Sequence, residues 1–114
     1  MAVTKTERKQ QRLGEVEKWA HDLSQNMLEC RNYGHSWRPM TAVWIDEERV
    51  YEEVVRCVRC RSERLKLLDR LGMVVSSQYR YTRGYLKQGI GRLDPHDRGM
   101  LRLEAVQRRM DKTQ

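Results

Sequence analysis

Three cysteines and one histidine have the spacing of a metal site. Cys30 precedes His35 by five positions, and Cys57 and Cys60 form a CxxC motif further along. Thiolate and imidazole are the donors that favour zinc, and structural zinc sites combine two such ligand pairs. The spacing predicts a structural Cys3His zinc site with one ion per chain. Four protein ligands leave no open position for water, so the ion would contribute to folding rather than to catalysis.

Other interpretations of the four residues stay open at this stage. A CxxC motif can be a redox pair, although such pairs open a helix after a strand, and here both flanks have a β pattern. Cys30 also suits an apolar core, and His35 could be a surface residue beside Gly34. His21 and His96 are the fallback fourth ligands, but neither lies beside a turn that would present it.

The segment that leads to Cys30 has the pattern of an amphipathic helix. Good helix formers begin at Thr4, and one apolar stripe recurs at spacings of three and four: Leu13, Val16, Ala20, Leu23, Met27 and Cys30. We expect one helix of roughly 25 residues. The stripe could dimerise the protein as a coiled-coil seam, but it covers few heptads, so packing on the protein's own sheet is favoured.

Residues 40–81 have the pattern of two hairpins. Alternation over 40–45, a polar break at 46–48 and β-branched residues over 50–57 predict the first hairpin, which returns the CxxC motif towards His35. Residues 63–69 and 73–81 predict the second, with Tyr79 and Tyr81 on its apolar face. The pattern indicates an antiparallel sheet of three or four strands.

The C-terminal part combines a glycine-containing loop with a helix. Residues 83–93 contain three glycines, which favours a loop, ordered or coupled to binding. Asp94 suits an N-cap, Pro95 the first helical position and Asp97 the first turn of a helix. Its apolar stripe is predicted to be Leu103, Val106 and Met110, before a frayed tail.

These elements predict one α+β domain. An N-terminal amphipathic helix occupies residues 1–30, a zinc-binding β region with a basic aromatic loop occupies 30–93, and a C-terminal helix and tail occupy 94–114. The N-terminus lacks the apolar stretch of a signal peptide, and no apolar run approaches the roughly 20 residues of a membrane span. The sequence therefore indicates a cytoplasmic protein.

The positive charge is concentrated in the second half of the chain. The formal net charge is +7, with 8 basic and 10 acidic residues in 1–55, against 15 basic and 6 acidic in 56–114. Such a half attracts polyanions, which favours nucleic acid, duplex DNA above all, as the partner. The predicted contacts are Arg56, Arg59, Arg64, Arg80, Arg83, Tyr85, Lys87 and Arg92. Glycines near Tyr85 would let the backbone approach a partner.

Other roles for this charge stay open. The arginines could simply be solvated, or those around the CxxC motif could offset the negative charge of a zinc–thiolate centre. The chain could also be a protein-interaction module that binds a host partner such as the transcription machinery, as a monomer or a homodimer. The clustered carboxylates lie at a predicted hairpin tip and no glycine-rich phosphate loop is present, so we expect no enzyme.

Residues 30–92 contain, in this order, CxxxxHxW, a predicted hairpin, CxxC, YRYxxGYL and GxGR. This order of motifs resembles that of small zinc-finger-like proteins of actinobacteriophages and actinobacteria. The resemblance implies a zinc-stabilised β core with Trp37 beside the ligands, and a role in controlling DNA or host transcription. Tyr79, Arg80, Tyr81, Gly84 and Tyr85 match its distal motif. Two positions depart from the pattern: Arg61 stands where a glycine is common, and Thr82-Arg83 where a proline is expected.

Overall fold

The computed structural model describes residues 4–112. Its elements are α1 (Lys5–Asp22), α2 (Gln25–Tyr33), β1 (Trp37–Ile45), β2 (Val50–Cys57), β3 (Glu63–Leu68), β4 (Val74–Arg80) and α3 (Pro95–Lys112). The α+β class and the antiparallel sheet are confirmed. The chain forms two compact units: a helical unit of residues 4–34 and 84–112, and a β unit of residues 35–83. No helix within residues 4–112 is long and apolar enough to span a membrane.

The N-terminal segment forms two helices, not the single helix predicted. α1 begins with a capping box in which Thr4 accepts from the Glu7 N–H. Leu23 then adopts an extended conformation, and the Ser24 hydroxyl accepts from the Met27 N–H at 3.2 Å, which starts α2. A serine can cap a new helix inside an unbroken apolar stripe, and periodicity alone does not reveal that break.

The core of the helical unit joins α1, α2 and α3. Val16, Leu28 and Leu101 are 0%, 0% and 2% exposed, and they belong to one cluster with Ala20 and Leu23. The N-terminal stripe therefore packs intramolecularly, as favoured, but its partner in this core is α3 rather than the sheet.

The buried face of α3 differs from the prediction. Leu103, Val106 and Met110 are 57%, 47% and 56% exposed, while Leu101 and Ala105 are buried. The helix also continues to Lys112, through most of the predicted tail.

Polar residues on the packed side of α3 explain the wrong prediction. Asp97 is fully buried, and its carboxylate accepts from the Arg12 guanidinium at 2.8 Å. Arg108 donates to the carbonyls of Leu23 at 2.7 Å and His21 at 3.0 Å, at the C-terminal end of α1. Because charged side chains occupy part of this packed side, the apolar pattern of the sequence favoured the opposite side.

The loop at 84–93 is ordered by contacts within the helical unit. The Trp19 indole N–H donates to the Gly84 carbonyl at 3.0 Å, and Arg12 donates to the Ile90 carbonyl at 3.0 Å. Tyr85 and Ile90 are buried. By these contacts the loop belongs with the helices, whereas the sequence grouped it with the β region.

The β unit is a sheet in the order β1-β2-β3-β4, with every neighbouring pair antiparallel. Both predicted hairpins are confirmed. Its buried apolar residues are few: Val55, Leu65 and the cysteines Cys57 and Cys60. The sheet thus has little apolar core of its own.

Candidate metal centre and aromatic surface

The four predicted ligands lie together. The ligand atoms of Cys30, His35, Cys57 and Cys60 are all within 4.8 Å of one another; the cysteines are buried and His35 is half-buried. The Cys60 Sγ and His35 Nδ1 atoms are 3.4 Å apart. A tetrahedral ion with Zn–S near 2.3 Å and Zn–N near 2.0 Å needs donors roughly 3.5–3.8 Å apart. These four residues could therefore hold one metal ion with little rearrangement.

A tight turn presents the CxxC pair. Cys57 ends β2; its N–H donates to the Ser62 carbonyl at 2.9 Å, and its carbonyl accepts from the Arg61 N–H at 3.1 Å. Arg61 has a φ of 67°, the left-handed conformation that favours glycine. The turn therefore forms with Arg61 at the position where glycine is common, although the left-handed conformation is unfavourable for arginine.

Thr82 secures the same turn from the end of β4. Its N–H donates to the Ser62 hydroxyl at 3.1 Å, and its hydroxyl donates to the Cys60 carbonyl at 2.6 Å. A proline at position 82 has no N–H and could not make the first bond. The second departure from the expected pattern thus has a structural role.

The turn also prepares Cys57 to act as a thiolate. Burial opposes ionisation, but hydrogen bonds from the backbone N–H groups of Cys60, Ser36 and Arg59 and from the His35 side chain outweigh it. Together they lower the pKa of the Cys57 thiol to about 5. The thiolate is the form that binds a metal, so the Cys57 side chain is in its metal-binding form near neutral pH.

Aromatic rings continue from the ligands along the sheet. The rings of His35 and Trp37 have centroids 4.7 Å apart, so Trp37 lies beside a candidate ligand, as the resemblance implied. Trp37 lies 6.2 Å from Tyr79, and Tyr79 stacks on Tyr81 at 5.5 Å with an interplanar angle of 3°. The Arg64 guanidinium lies 5.5 Å from the Tyr79 ring centroid. We call Trp37, Arg64, Tyr79 and Tyr81 the tyrosine surface.

The exposure of the tyrosines is the reverse of the prediction. Tyr79 and Tyr81, expected to pack in the sheet, are 47% and 38% exposed. Tyr85, expected to contact nucleic acid, is 4% exposed, with the Arg31 guanidinium 4.1 Å from its ring centroid. Period-2 alternation correctly placed Tyr79 and Tyr81 on one face, but nothing in the local sequence showed that this face is uncovered.

The predicted basic contacts do not form one group. In the sheet, Arg64 lies on the face of Tyr79, whereas Arg56 and Arg80 lie on the opposite face, where Arg56 pairs with Glu63 at 2.9 Å.

The other predicted contacts lie outside the strands. Arg59 is half-buried within the CxxC turn, and Arg83 is exposed after β4. Lys87 and Arg92 line a cleft of the helical unit together with Arg31, Arg98 and Arg102. Arg31 carried no sequence signal, because a lone arginine after a cysteine matches no motif.

Comparison with protein-family models, curated proteins and solved structures gives no significant match to this chain.

Proposed function

We propose that the protein is a zinc-stabilised nucleic-acid-binding protein without catalytic activity. The donor set supports zinc as the ion: three thiolates and one imidazole are soft to borderline ligands, and all four positions of a tetrahedron would be filled by the chain. The ion would hold the CxxC turn and so the sheet. Nucleic acid would then bind to the surface that the sheet presents.

The tyrosine surface carries the nucleic-acid proposal. Two parallel, exposed phenol rings lie there with a guanidinium 5.5 Å from the centroid of one of them, so this face offers both aromatic and cationic contacts. Aromatic rings stack on bases, and neighbouring arginines neutralise phosphates. Arg83, exposed two residues after Tyr81, is positioned in the chain to contribute such a charge.

The stacked rings also bear on which form of nucleic acid binds. The positive charge of the chain favours duplex DNA through its phosphates, whereas ring stacking requires unpaired bases. We therefore infer binding to a region where bases are accessible, such as an opened duplex or a single strand. The resemblance to small phage zinc-finger-like proteins supports a regulatory role for this binding.

The test is binding of single-stranded and duplex oligonucleotides of one sequence at two salt concentrations, by fluorescence anisotropy. We expect a steep loss of affinity with salt, and a weakening of about tenfold or more for Tyr79→Leu or Tyr81→Leu on the single strand. Arg83→Ala should weaken both forms and leave the fold intact. Tyr33→Leu removes an exposed tyrosine of the helical unit and serves as the control.

If the tyrosine variants bind as tightly as Tyr33→Leu, the tyrosine surface is not the contact. If the parent protein, with one zinc per chain, binds neither form at low salt, the nucleic-acid proposal fails.

The alternative function is a protein-interaction module. The exposed apolar stripe of Leu103, Val106 and Met110 on α3 favours it, because such a stripe can pack against a partner protein. The N-terminal stripe, which the sequence had suggested for this role, is buried. Salt discriminates the two functions, since an apolar interface responds weakly to ionic strength and phosphate contacts respond strongly.

A further inference from the structure

The helical unit contains a strongly basic cleft of about 440 Å³. Five cationic side chains line it, together with Asn32 and apolar or glycine residues, and no carboxylate takes part in the lining. The cations are Arg31 from α2, Lys87 and Arg92 from the loop, and Arg98 and Arg102 from α3. Five positive charges around one space repel each other, so an anion would stabilise the arrangement.

Four of these cations lack a counter-ion among the described residues. Within residues 4–112, no carboxylate lies within 4.0 Å of the charged groups of Lys87, Arg92, Arg98 or Arg102. The acids near the start of α3 are engaged elsewhere: Asp97 pairs with Arg12 at 2.8 Å, and Asp94 accepts from the Asp97 N–H at 2.8 Å. The cleft therefore keeps its positive charge.

The fifth cation is held in place. Arg31 donates to the Tyr85 carbonyl through Nη2 at 2.7 Å and Nε at 3.2 Å, and its guanidinium lies 4.1 Å from the Tyr85 ring centroid and 5.2 Å from that of Trp19. Tyr85, which matches the resemblance motif but is buried, thus positions an arginine rather than touching a ligand.

The walls of the cleft are also fixed. Asn32 donates to the carbonyls of Leu28 at 3.2 Å and Leu101 at 3.1 Å, which joins α2 to α3. Arg12 donates to the carbonyls of Ile90 at 3.0 Å and Arg92 at 3.4 Å, which holds the loop. A ligand would meet a site whose backbone is already ordered, so little conformational entropy would be lost on binding.

We propose that this cleft binds a phosphate-bearing ligand of about nucleotide size. Arginine guanidinium groups match the geometry of phosphate oxygens with paired hydrogen bonds, and several arginines suit a group carrying two or more negative charges. The volume is in the range of small-ligand pockets and exceeds what a single inorganic phosphate fills. This site is separate from the tyrosine surface and does not depend on the nucleic-acid proposal.

The phosphate could belong to a free nucleotide or to the 5′ end of a nucleic acid, and calorimetric titrations distinguish these sources. The probes are inorganic pyrophosphate, adenosine diphosphate, and one oligonucleotide with either a 5′ phosphate or a 5′ hydroxyl. Binding of pyrophosphate and the diphosphate supports a free ligand. Preference for the 5′-phosphorylated oligonucleotide over its 5′-hydroxyl form supports a nucleic-acid end.

The matched variants are Arg98→Gln/Arg102→Gln in the cleft and Arg8→Gln/Lys9→Gln on the exposed start of α1. Both remove two positive charges from the helical unit. We expect the dissociation constant for the bound probe to rise about tenfold or more in the cleft variant and to change little in the control. Arg102→Lys keeps the charge and should lose only part of the affinity.

The proposal is overturned if the folded parent protein binds none of the phosphorylated probes at low salt. It is also overturned if the two double variants lose affinity equally, since the effect is then one of net charge. Tyr79→Leu should leave pyrophosphate binding unchanged, so failure of the nucleic-acid proposal would be seen separately.

Discussion

The two units of this protein differ in how many apolar side chains they bury. The helical unit buries Val16, Leu28 and Leu101 in a continuous core between three helices. The β unit buries little besides Val55 and Leu65, and many of its large apolar side chains are exposed. The β unit, where apolar burial is small, contains three of the four candidate metal ligands: His35, Cys57 and Cys60. The difference teaches that one short chain can combine a unit with a packed apolar core and a unit with few buried apolar side chains, in which a bound metal ion would add stability that the hydrophobic effect does not supply.

Metal removal should have the largest effect, and it should act on the β unit. We expect Cys57→Ser, or chelation of the parent protein, to lower the free energy of unfolding of the β unit by more than about 3 kcal/mol, since structural zinc contributes several times that amount. Hydrogen exchange should show faster exchange at Val55 and Leu65 and retained protection at Leu101 and Ala105. Zinc content should be one ion per chain in the parent protein.

Val58→Ser is the control for this change, because it alters the neighbouring exposed residue without removing a ligand. The ion has no structural role if two results are found together. Cys57→Ser would melt at the same temperature as the parent protein, and the melting temperature of the parent protein would not change when its metal is removed and then restored. The two units would then not differ in their dependence on a metal ion.

A cavity in the helical core should have the next largest effect, and it should spare the metal. Leu101→Ala removes buried methyl groups and should cost about 3 kcal/mol of stability in the helical unit. Leu103→Ala, on the exposed side of the same helix, should change stability by less than about 0.5 kcal/mol. Thermal denaturation with zinc quantification checks both variants. Equal effects would show that the buried side of α3 is wrongly identified.

The turn at Arg61 offers a smaller, stabilising change. Arg61→Gly relieves a left-handed backbone and should raise the stability of the β unit by about 0.5–1 kcal/mol, after the entropy cost of glycine is subtracted. Arg70→Gly, in an exposed turn without a positive φ, should give no gain. Denaturant unfolding of the two zinc-loaded variants measures the difference. A destabilised Arg61→Gly would mean that the arginine side chain contributes more than its backbone costs.

The smallest effect concerns the start of α3. The N–H of Asp97 donates to Asp94 at 2.8 Å, and this bond, with the nearby Arg12 and His96, lowers the pKa of the Asp94 carboxyl below its ordinary value of 3.8. The contribution of Asp94 to stability is therefore complete above pH 3.8 and is lost as the pH falls through the lower, folded value. The Asp97 amide signal in an NMR titration should follow this transition and should not show it in Asp94→Asn. A midpoint at or above 3.8 would contradict the capping interaction.

Local patterns in the sequence were sufficient for much of this structure. The ligand spacing predicted Cys30, His35, Cys57 and Cys60, because a hairpin of known length returns the chain to its starting point. Strand alternation predicted both hairpins, and the Asp-Pro pair predicted the start of α3 at Pro95. Each of these features depends on neighbours in the chain or on one hairpin, and such interactions are encoded locally.

Only the tertiary structure decided which faces are covered. Tyr79 is exposed and Tyr85 is buried, the reverse of the predicted exposure, and α3 buries the side that carries Asp97 and Arg108 instead of its more apolar stripe. The basic cleft likewise depends on bringing Arg31 of α2 to Arg98 and Arg102 of α3. Periodicity states which residues share a face, but burial depends on the surface that meets that face. That surface comes from distant parts of the chain, and here it accepts charged residues through ion pairs and helix-end carbonyls.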